Sequence, residues 1–186
     1  MAAAHHLIEQ VGQCIAVQAD QSEMETQFLL DLAREHPFVR GVVGWVDLRS
    51  PQVSERLAHF AADPHFRGVR HLVQGEPNDE FLLEPDVVRG IAALTSLGLT
   101  FDLLLVPRQL RAATRLAAML PDQRFVLDHL AKPLIKSGVL EPWASDFASL
   151  AAQPNVSCKL SGLITEADWG GWRPTELRRY LDVAVE

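Results

Sequence analysis

The 186 residues carry 17 Lys and Arg against 24 Asp and Glu, a formal charge of −7, with 48% hydrophobic and 22% charged residues. This is the composition of an ordinary folded domain with a sizeable core, so extended disorder is excluded. Basic residues never cluster beyond the Arg178-Arg179 pair, so nucleic acid and anionic membrane are not expected partners, and no apolar stretch reaches the about 18 residues that a membrane span needs. The start, Met1-Ala-Ala-Ala-His-His, lacks the basic residue and long apolar core of a signal peptide. Cys14 and Cys158 fall in apolar, strand-like runs, where a reduced thiol behaves as a small buried hydrophobe. The expectation is a cytoplasmic protein.

In chain order, residues 7–11 read as the tail of a helix. Six aliphatic-rich runs then follow, at 14–19, 41–48, 68–73, 99–106, 124–130 and 155–160, with centres roughly 24 to 33 residues apart, the pace of a strand and its crossover helix. Between the first two, Asp20 or Ser22 can cap a helix over 26–35 that stops before Pro37. Ser50-Pro51 supplies a cap with proline in the first turn, after which Val53, Leu57 and Phe60 share a face. A helix over 85–97 ends at Gly98, the expected left-handed stop. Helices over 107–120, 140–152 and 174–185 complete the set. Strands that are apolar almost throughout are buried on both faces, as in a parallel sheet covered by helices. The fold class is therefore α/β, either an open doubly wound sheet or a (β/α)8 barrel. No glycine-rich loop follows the first strand, where Val17-Gln-Ala-Asp20 stands, and Gly41-Val-Val-Gly44 lies within a strand, so a dinucleotide site is not expected. One barrel-type domain over residues 1–186 fits better than two small ones.

In such folds the active site forms where the strands end, and a polar group there must be paired or used. Arg70 and His71 close the third run: a guanidinium suits a carboxylate or hydroxyl, and an imidazole can polarise a carbonyl. The fifth run ends in Asp128-His129, with Lys132 beyond. Alternation along a strand allows only one of the pair to face inward; His129 is assigned inward with Phe125 and Leu127, leaving Asp128 toward the helices as a support. Lys159, in Ser157-Cys-Lys-Leu-Ser161, is an ammonium in an apolar run, suited to stabilising an oxyanion. Asp102, Gln18, Trp45 and Trp169 are further candidates for shaping a substrate pocket, with ordinary packing the competing explanation for each. Histidines 5, 6, 36, 59 and 65 fall on helices or their edges. There is no His-x-His, His-Glu-x-x-His or serine nucleophile elbow.

Five motifs, taken together and in order, carry a resemblance. They are Val43-Gly-Trp-Val-Asp47, Gly68-Val-Arg-His71, Leu99-Thr-Phe-Asp102, Val126-Leu-Asp-His-Leu-Ala-Lys-Pro133 and Val156-Ser-Cys-Lys-Leu-Ser-Gly162. The chain resembles the amidohydrolase-related family, in its branch of sugar lactonases and pyrone-dicarboxylate lactonases. That resemblance implies a (β/α)8 TIM-type barrel that opens a sugar-acid lactone or similar small lactone by attack of water. In the family the first strand carries a His-x-His pair and the eighth an aspartate in a Gly-Ser-Asp-Trp-Pro-like run; neither is present here. By that comparison the six runs are strands two to seven of a truncated barrel.

The resemblance further implies His129 as a substrate-activating group, with Arg70, His71 and Lys159 surrounding the substrate; His129, Lys159 and His71 are the expected catalytic groups, and Arg70, with Gln18, Trp45, Asp102 and Trp169 from their positions in the sequence, the expected substrate contacts. No cofactor and no tight metal site are expected in this chain; a divalent metal such as zinc belongs, if anywhere, to the full-length parent. Two other readings stand beside the lactonase. One is a non-catalytic α/β fragment that forms homo-oligomers or binds a partner through its unpaired strand edges. The other is a decarboxylase on the same scaffold.

Overall fold

The computed structural model describes residues 12–185; the helix expected over 7–11 lies outside them. Six strands, β1 (Cys14–Val17), β2 (Val39–Gly44), β3 (Phe66–His71), β4 (Thr100–Leu103), β5 (Phe125–Leu127) and β6 (Val156–Cys158), form one curled sheet in sequential order. Every neighbouring pair is parallel. A parallel pair requires a long crossover, and the crossovers carry α1 (Glu23–Glu35), α2 (Val53–Ala61), α3 (Pro85–Thr95), α4 (Leu110–Met119) and α5 (Trp143–Ala151). Beyond β6 lie a short α6 (Leu163–Glu166) and a terminal α7 (Pro174–Val185). No helix among the described residues is long and apolar enough to cross a membrane.

Local chemistry sets the boundaries. The Ser22 hydroxyl accepts the Glu25 N–H at 3.2 Å, capping α1, whose first turn carries Glu23 and Glu25. The α2 start differs from expectation: Ser50 accepts from the Gln52 N–H in a turn, and the helix begins only at Val53. Val53, Leu57 and Phe60 are buried together as their spacing predicts. Gly98, at φ +66°, turns the chain from α3 into β4 in the left-handed region that glycine enters freely.

The two faces of the sheet are chemically unlike. Toward the helices, Val69, Phe101, Leu103, Phe125 and Leu127 are at most 1% exposed and join one apolar cluster with residues of α1 to α5. The concave inner face carries the alternate residues and holds the polar groups. Among the described residues both outer strands, β1 and β6, have a neighbour on one side only. Cys14 and Cys158 stand on these edges and are exposed and unpaired, contrary to the buried thiols expected from their apolar surroundings. The compartment inferred from buried thiols therefore loses that support.

Candidate active site

Register fixes which strand-end groups meet. Arg70 lies beside Asp102 and Asp102 beside Val126, so all three share the inner face. Two residues on from Val126 is Asp128, and two on from Ser157 is Lys159, which continue that face at the strand ends. These side chains, with His129 and apolar walls from Ile15, Val17 and Val43, line a hollow of about 570 Å³.

Within it two cations and two anions interlock. Lys159 donates to Asp102 at 2.6 Å and lies 2.6 Å from Asp128 Oδ1, a contact without hydrogen-bond alignment. Arg70 Nη1 donates to Asp128 Oδ2 at 2.9 Å, while its Nη2 donates to the backbone carbonyl of Gln18 and its Nε is buried with no partner among the described residues. The Gln18 amide donates back to the Arg70 carbonyl at 3.1 Å, which holds the guanidinium from behind. Burial pushes the Asp102 carboxyl above the usual carboxylate range, with Lys159 pulling it back. Burial works against the Lys159 charge, but the Asp102 and Asp128 carboxylates outweigh it and the ammonium titrates above its ordinary value.

His129 reaches the hollow by another route. Strand β5 ends at Leu127, and residues 129 to 132 all take left-handed φ, from 51° to 57°. Such a run disfavours L residues by about 1 kcal/mol or more each. It is held by Leu130 and Ala131, buried in the core, and by the Trp143 indole N–H donating to the Leu130 carbonyl at 2.8 Å. His129 Nδ1 meets Ser161 Oγ at 2.8 Å. Burial lowers the pKa of His129; Asp128 opposes this, and Lys132, Lys159 and Arg70 reinforce it.

The assignment of Asp128 to the helix side is thus corrected. Phe125 and Leu127 face the helices, Asp128 faces the hollow, and His129 is released from alternation because the strand has already ended. The signal was available: large apolar residues at 101, 103, 125 and 127 mark the helix side, which puts Asp102 and Asp128 opposite.

Other expected site residues are not brought together. His71 follows Arg70 and therefore points the other way. Its ring is stacked on Phe81 at 4.8 Å, bonded to Glu76 at 2.6 Å and met by the Trp45 indole N–H at 3.4 Å. Trp45 is accordingly its partner rather than a wall of the hollow. Gln18 is fully buried behind Arg70. Trp169 is 80% exposed, and its indole N–H donates to the Thr165 carbonyl. Ser161 was missed because a serine three residues beyond a strand has no distinguishing pattern.

The amidohydrolase family model matches residues 1–186. The chain belongs to the amidohydrolase family. An L-fucono-1,5-lactonase of Burkholderia ambifaria is 43% identical over 157 residues, 84% of this chain and 54% of that protein. A second L-fucono-1,5-lactonase, from Burkholderia multivorans, is 40% identical over 95% of this chain and 62% of its own length. A zinc-bound amidohydrolase crystal structure from Burkholderia multivorans superposes with a TM-score of 0.92 at 39% identity, covering 99% of this chain and 68% of that one. This amidohydrolase chain therefore spans between half and two thirds of the length of the two lactonases.

A metal would have to fit the donors at hand. Among the described residues no three His, Cys, Asp or Glu side chains converge, and the two carboxylates that face each other already share the Lys159 ammonium. Lys159 fills the position a cation would take, and zinc sites rest on about three or four protein ligands. The described residues of this amidohydrolase do not fit a metal.

Proposed function

We propose that this amidohydrolase opens a lactone of a sugar acid, or a small lactone of similar shape, by hydrolysis. The observation that carries the reading is the donor-rich end of the hollow, where Lys159, Arg70 and His129 converge on one apolar-walled space, in a chain whose relatives include two L-fucono-1,5-lactonases. Water adds to the lactone carbonyl carbon, the ring carbon–oxygen bond breaks, and a hydroxy acid leaves after the ring oxygen takes up a proton. Lys159 and His129 hold the negative charge that develops on the carbonyl oxygen. Arg70 orients a substrate hydroxyl or carboxylate through its guanidinium.

The base that takes the proton from water is assigned elsewhere, because Asp102 and Asp128 are both committed to ion pairs. In the same proposal the six strands are strands two to seven of a (β/α)8 barrel, and two further strands close it and bring that base. A chimera in which residues 12–185 replace the matching part of a Burkholderia lactonase tests both points. It should release acid from a sugar-lactone panel read with a pH indicator, and His129→Ala in it should lower turnover at least a hundredfold. A chimera that is folded by circular dichroism yet inert on every lactone would refute the reading.

A further inference from the structure

One loop leaving β6 delivers two groups to the hollow. Lys159, anchored by its N–H to the Leu127 carbonyl at 2.9 Å, sends its ammonium to the carboxylates. Two residues later Ser161 sets its hydroxyl 2.8 Å from His129 Nδ1. Gly162 follows at φ +71°, and a Cβ there would fall 2.7 Å from both Cβ and Cγ of His129 and 2.8 Å from Nδ1. The imidazole thus lies directly on the Gly162 backbone, in space that only a glycine leaves open.

We propose that Ser161 is a positioning residue that donates its hydroxyl hydrogen to His129 Nδ1 and so fixes the tautomer carrying N–H on Nε2. The inference rests on the lactonase reading for its purpose, though not for its geometry. A neutral imidazole has one N–H and one lone pair, so engaging one nitrogen decides the other. Among the described residues the Ser161 hydroxyl has no other side-chain or carbonyl partner, so Nδ1 is the one protein acceptor within its reach there. His129 then offers a hydrogen-bond donor to the hollow, as Lys159 and Arg70 do, and is not the base. Gly162 serves the same end by letting the ring settle against the hydroxyl.

The tautomer can be read without turnover, in this chain labelled with nitrogen-15 at histidine. Long-range proton–nitrogen correlation spectra, recorded above the histidine titration range and assigned with His129→Gln, should show a protonated-type Nε2 and an acceptor-type Nδ1. Ser161→Ala should shift both nitrogens toward the averaged values of exchanging tautomers, and Ser161→Thr, which keeps the hydroxyl, should restore them. Gly162→Ala should produce the same loss by displacing the ring. A proton on Nδ1 in the unaltered chain, or an unchanged spectrum in Ser161→Ala, would overturn the proposal. Because no reaction is measured, an inert chimera would sink the lactonase reading and leave the tautomer standing, while a wrong tautomer would do the reverse.

Discussion

Replacing Lys159 with methionine keeps the aliphatic stem and removes the charge that two carboxylates share. Asp128 retains Arg70 at 2.9 Å, but among the described residues Asp102 has no second partner, and its side chain is only 2% exposed. The penalty therefore falls on Asp102. Removing one member of a buried ion pair destabilises by about 3 to 5 kcal/mol. The Lys159 side chain is itself 34% exposed, so solvent screening reduces the expected loss to about 2 to 3 kcal/mol. Neutralising the abandoned carboxylate as well, in Asp102→Asn with Lys159→Met, should bring stability back to within about 1 kcal/mol of the unaltered chain.

The pH dependence has a definite sign. Burial already raises Asp102 in the folded state, so the fold takes up that proton more readily than the unfolded chain does. Loss of Lys159 deepens the bias. The Lys159→Met penalty should be full above the raised folded value and shrink as pH falls through it, where Asp102 enters the fold neutral. Urea unfolding by circular dichroism at several pH values measures this, with an unchanged slope against urea as the control. A single mutant within about 0.5 kcal/mol of the unaltered chain at neutral pH, or a double mutant no more stable than the single, would refute the reasoning.

Two further outcomes follow from groups outside the hollow. His71 titrates below its ordinary value of 6.5 because it is buried, with Glu76 opposing, so the unfolded chain binds its proton first. Stability should fall as pH drops through that value toward the lower folded one; His71→Gln should flatten this limb in urea titrations while leaving the His129 nitrogen shifts unmoved, and a steeper limb would contradict the assignment. The open edges at β1 and β6 leave Ile15 and Leu160 at 50% and 54% exposure, so the chain by itself should self-associate with rising concentration in light scattering. Ile15→Lys should weaken that association, and a monodisperse monomer at every concentration would argue against it.

The six strands were legible because parallel strands buried on both sides read as aliphatic runs at a regular spacing, and the helices because Ser22, Gly98 and the prolines punctuate them. The site was only half legible. Side-chain period says only that two strand neighbours face opposite ways; which of them faces the helices is marked by the large apolar residues of one parity, as at 101, 103, 125 and 127. Thus Arg70 and Lys159 line the hollow, while Asp128, expected to face outward, faces it and His71, expected to face it, points away. The left-handed run at 129 to 132 was hidden for a different reason: it is imposed by tertiary packing of Leu130 and by Trp143, thirteen residues away from the carbonyl it binds. Nothing in the local residue types signals it.

The charge pattern of the hollow bears on which half of a hydrolysis these residues can perform. A lone lysine in an apolar space would tend to lose its proton and become a base. Here Asp102 and Asp128 hold Lys159 above its ordinary value, so it can only donate, and a guanidinium such as that of Arg70 carries donors and no acceptor. The carboxylates that could have served as bases are consumed in securing those donors. A surface that only donates is suited to drawing electron density onto a carbonyl oxygen, and it is inert toward water by itself. The proposed chemistry therefore needs a proton acceptor brought to the mouth from outside these six strands. The open edges of the sheet and the 54% to 62% of relatives' length that the chain spans are the two features that leave room for one.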